Sequence, residues 1–361
     1  MIVTVLPGDG IGPEVVREAL RVLEALNICD LHVQKAEVGR TAHKKLGELL
    51  PIKTIRAVQS SDAVLLGAVG NNAVTEADDL KPERALLGLR KLLNCFVNLR
   101  PIRHHKSIIR NFNHPKDNDT SFDILIVREL NSGIYFGMPR GIRRFHFERN
   151  CSLVEGFCTS RYSSLEVETI TRLAFEIAMK RKKALLLVDK ANVLETSMVW
   201  RKITSQISKD YPNVRLLASY VDSASLQIFR SPNNFDVVLT DNLFGDILSD
   251  HLGLLAGSIG LLPSASLGLS NIGLYEPVHG SAPSLVGKDV ANPIAAIMSL
   301  ALMLRHSFGL ERDASAVEVA VSGALRRGYR TADMIESGNF SSTSVVGEVV
   351  AYLIRIQNKT N

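Results

Sequence analysis

Four cysteines in 361 residues, Cys29, Cys95, Cys151 and Cys158, are too sparse for a disulfide scaffold, and none has the C-x-x-C spacing of a zinc or redox motif. Reduced thiols in an intracellular protein are the simplest expectation. No uncharged apolar run reaches the eighteen residues of a membrane span. A basic and then apolar leader is also missing, because the N-terminus enters a strand pattern directly, so a soluble, cytoplasmic protein is expected. Internal repeats and low-complexity tracts are absent, which leaves an ordinary globular chain. The charge excess is small, 42 Lys plus Arg against 37 Asp plus Glu, and the basic residues are mostly dispersed. That distribution favours a small anionic ligand over nucleic acid as partner. The exception is "RGIRRFHFER", Arg140 to Arg149, which reads as a solvated excursion or an oligomer contact before it reads as an RNA-binding patch.

What is present is apolar content, 46% of the chain, enough to bury a substantial core in two domains. Strand-like runs alternate with helical periodicity, which predicts an α/β protein with a mainly parallel sheet covered by helices. Val3 to Leu6 reads as a strand before a helix from about Pro13 to Leu26; Ala63 to Leu66 is a second strand and Glu83 to Leu93 a helix. "FDILIVRE", "ALLLVDKAN", "RLLASYVD" and "FDVVLTDN" follow, each an apolar run with a polar end. The stretch from about Arg103 to Asn118 reads as a basic loop, and Gly137 to Thr159, without clear periodicity, as an extended arm that packs on another subunit. Leu261 to Pro293 is rich in Gly, Pro, Ser and Asn and is expected to be mostly loop, before a core helix at Ile294 to Phe308.

The opening "VLPGDGIGPEVV" looks like a dinucleotide-binding turn, but its Gly8, Gly10 and Gly12 are followed by Pro13 where that fingerprint needs a third, later glycine. A family-specific strand, loop and helix is the better reading. In open α/β sheets ligands gather beyond the carboxyl ends of the strands, and ionisable residues stand at several such ends here: Arg100, Arg128, Lys190, Asp222 and Asp241. In "DNLFGDILSDHLG", Asp246 and Asp250 lie four apart on one helix face, where like charges repel unless something compensates them. With Asp222 as a third carboxylate they would suit Mg²⁺ or Mn²⁺, the alternative being an acidic helix face. Arg90, Arg100 and Arg128 could grip a carboxylate with paired hydrogen bonds. Leu86 and Leu87, near Arg90 on the same helix, offer apolar surface or are simply core. Tyr135 and Lys190 could serve as general acid and base if they share a site.

"VLPGDGIGPEV", "LLGLRKLLNCFVNLRP", "ILIVRELNSGIYFG", "VDKANVLETSMVWR", "NLFGDILSD" and "YEPVHGSAPSLVGKDVANP" together, in order along nearly the whole chain, resemble the isocitrate/isopropylmalate dehydrogenase family of β-decarboxylating dehydrogenases. The resemblance implies that family's two-domain fold, not an ordinary Rossmann domain, with 1–103 and 257–361 as a discontinuous cofactor-binding domain and 104–256 as the dimerisation and substrate/metal domain, its arm at about 137–159. It implies NAD around His279, Gly280, Ser281, Ala282, Pro283, Ser284 and Asn292, with Glu276 and Gly70 nearer the nicotinamide. It also gives the substrate carboxylate to Arg90, Arg100 and Arg128, the metal to Asp222, Asp246 and Asp250, with Asp222 near the substrate too, and acid and base roles to Tyr135 and Lys190. A homodimer with shared sites follows, Lys190 and Asp222 completing the neighbour's site. The implied activity is NAD-linked oxidative decarboxylation of 3-isopropylmalate to 2-oxoisocaproate, in leucine biosynthesis. Leu86, Leu87 and Val193 would meet the isopropyl group; Arg84 keeps isocitrate, homoisocitrate or a tartrate-like acid as alternatives, and a nonenzymatic RNA-binding or scaffold protein on this fold is the alternative class. Ser284 stands where many NAD-using relatives carry an aspartate, which bears on NAD against NADP, and Asp241 adds negative charge beside the expected metal.

Overall fold

The computed structural model describes residues 1–70, 81–104, 122–147, 151–269 and 272–360. In chain order the elements are β1 (Ile2–Gly8), α1 (Gly12–Leu26), β2 (His32–Lys35), α2 (Gly39–Leu46), α3 (Ile52–Gln59), β3 (Ala63–Ala68), α4 (Glu83–Leu92) and β4 (Cys95–Arg103). Next come β5 (Asp123–Glu129), β6 (Arg140–Phe147), β7 (Cys151–Cys158), α5 (Ser164–Met179), β8 (Ala184–Asp189), α6 (Glu195–Ile207), β9 (Arg215–Tyr220), α7 (Val221–Arg230), β10 (Val237–Thr240) and α8 (Asn242–Ala256). The chain ends with β11 (Pro263–Gly268), β12 (Gly273–Pro277), α9 (Ile294–His306), α10 (Glu311–Arg326) and α11 (Thr343–Thr360). Two compact units result: Met1–Asp123 with Asp250–Asn361, and Ile124–Ser249. The expected loop at 103–118 lies, from 105 on, outside the described residues.

In the first unit the strand order is β2-β1-β3-β12-β11-β4. Pairing is parallel from β2 to β12, with Val3 opposite Ala63, and antiparallel on both sides of β11, where Ser264 faces Glu276. The helix α1 carries Pro13 in its first turn, where a missing N–H costs nothing, and buries Val15, Val16, Ala19, Val22, Leu23 and Leu26 at three- and four-residue spacing. Asn27, left-handed at φ 55°, ends it. Every residue of α9 from Ile294 to Leu304 is buried, as its all-round apolar sequence requires, so it is the centre of this core. The strands β11 and β12 correct the expectation that 261–293 is mostly loop. Their Ser, Gly and Pro content conceals them from a propensity reading, yet the small side chains of "PSAS" are all buried between two neighbouring strands.

The second unit has the order β5-β10-β8-β9, all parallel: Val237 lies opposite Leu125 on one side and Leu185 on the other, and Ala184 opposite Arg215. Its central strands are continuous apolar runs because both faces are covered. The helix α5 begins with a complete capping box, Ser163 and Glu166 satisfying each other's backbone amides.

The segment 137–159 is not irregular, as its sequence suggested, but a two-stranded antiparallel ribbon of β6 and β7, running from Arg140 opposite Cys158 to Phe147 opposite Cys151. Arg143 and Phe145 share one face and Ile142 and Arg144 the other, so each face mixes charged and apolar residues and no alternation shows in the sequence. The guanidinium of Arg143 lies 4.2 Å from the Phe157 ring centre. Ile142 (73%), Leu153 (53%) and Val154 (60%) are exposed, which an isolated hairpin does not tolerate well in water.

Candidate active site

Four parallel strands of the second unit lead to candidate residues that the sequence singled out. Arg128 is at the end of β5, Lys190 follows β8, Asp222 follows β9 by two residues, and Asp241 and Asn242 follow β10. All of these are carboxyl ends, where an open parallel sheet presents its ligand site.

Arg128 is almost fully buried, and its guanidinium is held by the first turn of α8. Nε and Nη2 donate to the Asn242 side-chain oxygen at 3.1 and 2.8 Å, and Nη1 donates to Asp246 Oδ1 at 2.5 Å. The Tyr135 hydroxyl donates to Asp246 Oδ2 at 2.9 Å, and its ring centre lies 5.8 Å from the Arg128 guanidinium carbon. Arg128, Tyr135 and Asp246 are therefore one constellation. A second joins Lys190 Nζ to Asp222 Oδ1 at 2.9 Å. Hydrogen bonding from Lys190 lowers the Asp222 carboxyl below its ordinary value. Val193 is exposed three residues after Lys190.

In the first unit Arg90, buried on α4, donates from Nη2 to Glu276 Oε1 on β12 at 2.7 Å, while its Nε is shielded from water with no partner among the described residues. A buried guanidinium edge without an acceptor favours an anion that supplies one. Arg100, also buried, donates to Asn98 Oδ1 at 2.6 Å and lies 3.4 Å from Asp250. The repulsion expected between Asp246 and Asp250 is thus compensated by arginines, Arg128 for one and Arg100 for the other. Leu86 and Leu87 are half-buried, and the core position of that helix is Leu89.

The loop that follows β12 is fastened by the N-terminal glycine motif. The Ile11 amide donates to the Ser281 carbonyl at 2.9 Å, and the Gly287 amide donates to Glu14 at 2.7 Å. Gly10, at φ +59°, lies so close that a Cβ there would sit 1.9 Å from the Ser281 oxygen. Asp9 accepts from the amides of Arg40 and Thr41 at 2.9 and 2.8 Å and from Gly70 at 3.4 Å. "GDGIGPE" is therefore a scaffold for the 279–288 loop. At the loop's far end the Asn292 side chain donates to Asp333 at 3.0 Å and accepts from the Ile294 amide. Gly280, Pro283 and Ser284 are exposed, and Ala282 has φ 37°. His279 bonds the Gly280 carbonyl through Nδ1; its Nε2 is shielded with no partner among the described residues, and burial lowers its pKa.

These residues fit both groups that the sequence suggested. The shielded, unpartnered His279 Nε2 and the exposed loop beside it suit the adenosine part of a dinucleotide. Asp222, Asp246 and Asp250 each offer carboxylate oxygens, the donor type that Mg²⁺ and Mn²⁺ take. Among the described residues of one chain, no three acidic, histidine or cysteine side chains gather as a metal centre, since Asp222 stands with Lys190.

Sequence reasoning left Asp241 as unexplained charge. It is the N-cap of α8, accepting from the Phe244 amide at 2.7 Å, and burial pushes its pKa up to about 6. A polar residue directly before a helix was the available signal. Asn242, which the sequence marks with Asp241 at the end of a strand but gives no role, and Gly245, which it does not mark, both contact Arg128: a Cβ on Gly245 would sit 2.7 Å from the Arg128 Cγ. Glu129 is buried behind them and accepts from the amides of Asn131 and Ser132 at 2.5 and 3.1 Å; burial still pushes it up to about 7.

The isocitrate/isopropylmalate dehydrogenase family model matches residues 2–350. The chain is 48% identical to the 3-isopropylmalate dehydrogenase of Bordetella parapertussis over 350 residues, 96% of this chain and 98% of that one. It is 49% identical to the 3-isopropylmalate dehydrogenase of Chromobacterium violaceum over 341 residues, 94% of this chain and 95% of that one. Among solved structures, the isocitrate dehydrogenase of Methylococcus capsulatus superposes with a TM-score of 0.86 at 30% identity, covering 98% of this chain and 99% of that one. The apo β-decarboxylating dehydrogenase of Thermococcus kodakarensis gives a TM-score of 0.78 at 33% identity, with 99% and 97% covered.

Proposed function

The chain belongs to the isocitrate/isopropylmalate dehydrogenase family, and we propose that within it the protein oxidises and decarboxylates (2R,3S)-3-isopropylmalate to 2-oxoisocaproate, a reaction of leucine biosynthesis. The observation that carries this is the near-half identity, over almost the full length of both chains, to dehydrogenases named for that substrate. The apolar surface of Leu86, Leu87 and Val193, none of them core, supports it over a substrate with a third carboxylate. Burying an isopropyl group is worth about 2 kcal/mol at roughly 0.8 per CH₂, tens-fold in discrimination.

In this reading Arg90, Arg100 and Arg128 bind a substrate carboxylate, orienting it by paired hydrogen bonds. Lys190 takes the proton from the C2 hydroxyl, and Tyr135 delivers one to carbon after CO₂ leaves. NAD, held by Gly70, Glu276 and the 279–292 loop, supplies a hydride acceptor, and Mg²⁺ or Mn²⁺, held by Asp222, Asp246 and Asp250, supplies a positive charge for oxygen that gains electrons. The protein acts as a cytoplasmic homodimer in which Lys190 and Asp222 complete the neighbour's site; the exposed apolar residues of the β6–β7 ribbon support an oligomer contact there over an RNA-binding one. Among the described residues no helix is long and apolar enough to cross a membrane.

The test is NADH and NADPH formation with 3-isopropylmalate, isocitrate, homoisocitrate and tartrate, with Mg²⁺ or Mn²⁺ and then with excess chelator. Fastest turnover of 3-isopropylmalate with NAD, lost on chelation and restored by Mn²⁺, is expected. Faster turnover of isocitrate overturns the substrate assignment.

A further inference from the structure

The first turn of α8 devotes three residues to one side chain. Gly245 makes room for the Arg128 stem: a Cβ there would stand 2.7 Å from its Cγ and 2.9 Å from its Cβ, with the Thr240 methyl at 3.0 Å, so no larger residue fits without displacing the arginine. Asp246 takes one guanidinium nitrogen and Asn242 takes two with a single oxygen. That oxygen is itself fixed. The Asn242 Nδ2 donates to the Ser132 carbonyl at 3.3 Å, and its backbone amide donates to the Tyr162 hydroxyl at 3.1 Å, both buried. Turning the amide over would aim N–H groups at a guanidinium and break both contacts of its oxygen. Ser132 is held in turn, by its amide on Glu129 and its hydroxyl on Glu166 at 2.5 Å.

Asparagine differs from aspartate here in one respect that matters to an anionic ligand. Either would orient a guanidinium through an acceptor oxygen, but a buried carboxylate would cancel the positive charge, because Coulomb interactions are strong away from water. We infer that Asn242 is a positioning residue for the substrate, a neutral anchor that fixes the plane of Arg128 without adding a second carboxylate to that of Asp246, so that the guanidinium keeps more of its attraction for the substrate carboxylate. This inference rests on the assignment of Arg128 to substrate binding made above.

The test is a set of variants assayed at saturating divalent cation, with KM for the hydroxy-diacid, KM for NAD, kcat and thermal melting read for each. Asn242→Asp retains the acceptor for Arg128 and nearly the same shape but loses the N–H donated to the Ser132 carbonyl, so a lower melting temperature is expected, as for Asn242→Ala; the expected result is a KM for the diacid at least tenfold higher and higher than that of Asn242→Ala, with KM for NAD within twofold. Asn242→Ala should raise the same KM and lower stability as well. In an Arg128→Lys background, which lacks the two-nitrogen edge that Asn242 engages, Asn242→Asp should raise KM by much less than in the unaltered protein. If Arg128→Lys raises the diacid KM but Asn242→Asp leaves it unchanged, Asn242 is only a structural residue and the inference is overturned. If Arg128→Lys itself leaves that KM unchanged, the assignment of Arg128 to the substrate fails first, and the inference fails with it.

Discussion

Gly10→Ala separates the scaffold role of the glycine motif from direct phosphate binding. The new Cβ would begin 1.9 Å from the Ser281 carbonyl oxygen, 2.7 Å from its carbon and 2.8 Å from the Ser281 Cβ. Normal contact is above 3 Å, so the 279–288 loop or the motif must move by about 1 Å, and both partners are backbone. Alanine at φ +59° adds roughly 1–2 kcal/mol, and weakening the buried Ile11-to-Ser281 hydrogen bond another 1–3. The sum, about 2–5 kcal/mol, falls on the loop proposed to hold NAD, and at 1.4 kcal/mol per tenfold it predicts a KM for NAD raised at least tenfold. The diacid KM should change little. Gly47→Ala is the control: its φ is +78° but nothing lies within 4 Å, so it carries the conformational cost without the collision. Initial rates against NAD concentration and thermal melts of both variants make the comparison. Equal losses of stability with an unaltered KM for NAD in both would refute the scaffold argument.

Two further outcomes follow from the same contacts. If Lys190 and Asp222 serve the neighbouring subunit while Tyr135 serves its own, Lys190→Ala and Tyr135→Phe homodimers are each nearly inactive, but co-refolding them gives mixed dimers with one intact site and measurable NADH production; no recovery in confirmed mixed dimers refutes shared sites. Glu129 tests the buried network. An acid held at about 7 when folded and about 4.5 when unfolded binds more protons folded, so stability is greatest below the unfolded value and falls as pH rises to about 7. At 1.36 kcal/mol per unit the loss is at most about 3 kcal/mol. Glu129→Gln cannot ionise, so its melting temperature relative to the unaltered protein should climb between pH 5 and pH 8; a pH-independent difference refutes the assignment.

Where periodicity drives burial, the sequence carried the fold plainly. Helix α1 was expected from Pro13 to Leu26 and is found from Gly12 to Leu26; the strand expected at Ala63–Leu66 extends to Ala68; and the run from Ile294 is a helix with no polar face to hide. Concealment came from elements whose stability is supplied from outside themselves. The strand β11 is made of Pro, Ser, Ala, Leu and Gly, with no β-branched residue, and forms because β4 and β12 satisfy its backbone on both sides. The β6–β7 ribbon has charged and apolar residues on each face, with Ile142 and Val154 exposed, so period-two reasoning finds nothing.

The site shows the same division, with a different cause. Charged residues at strand ends are visible in one dimension because strand and helix phases alone place them, and Arg128, Lys190 and Asp222 were found that way. Neutral residues that position them are not, because asparagine and glycine in "DNLFG" have ordinary local explanations, a turn and a helix start. Only the three-dimensional contact reveals that Gly245 is empty space for an arginine stem and Asn242 an uncharged acceptor for its head. Aspartate at 242 would satisfy the same helix start and the same hydrogen bonds to Arg128, but it would lose the donor to the Ser132 carbonyl. The other difference is one negative charge, which would join the Asp246 carboxylate already bonded to Arg128. Under the inference above, that second carboxylate is what an anionic ligand at Arg128 would reject.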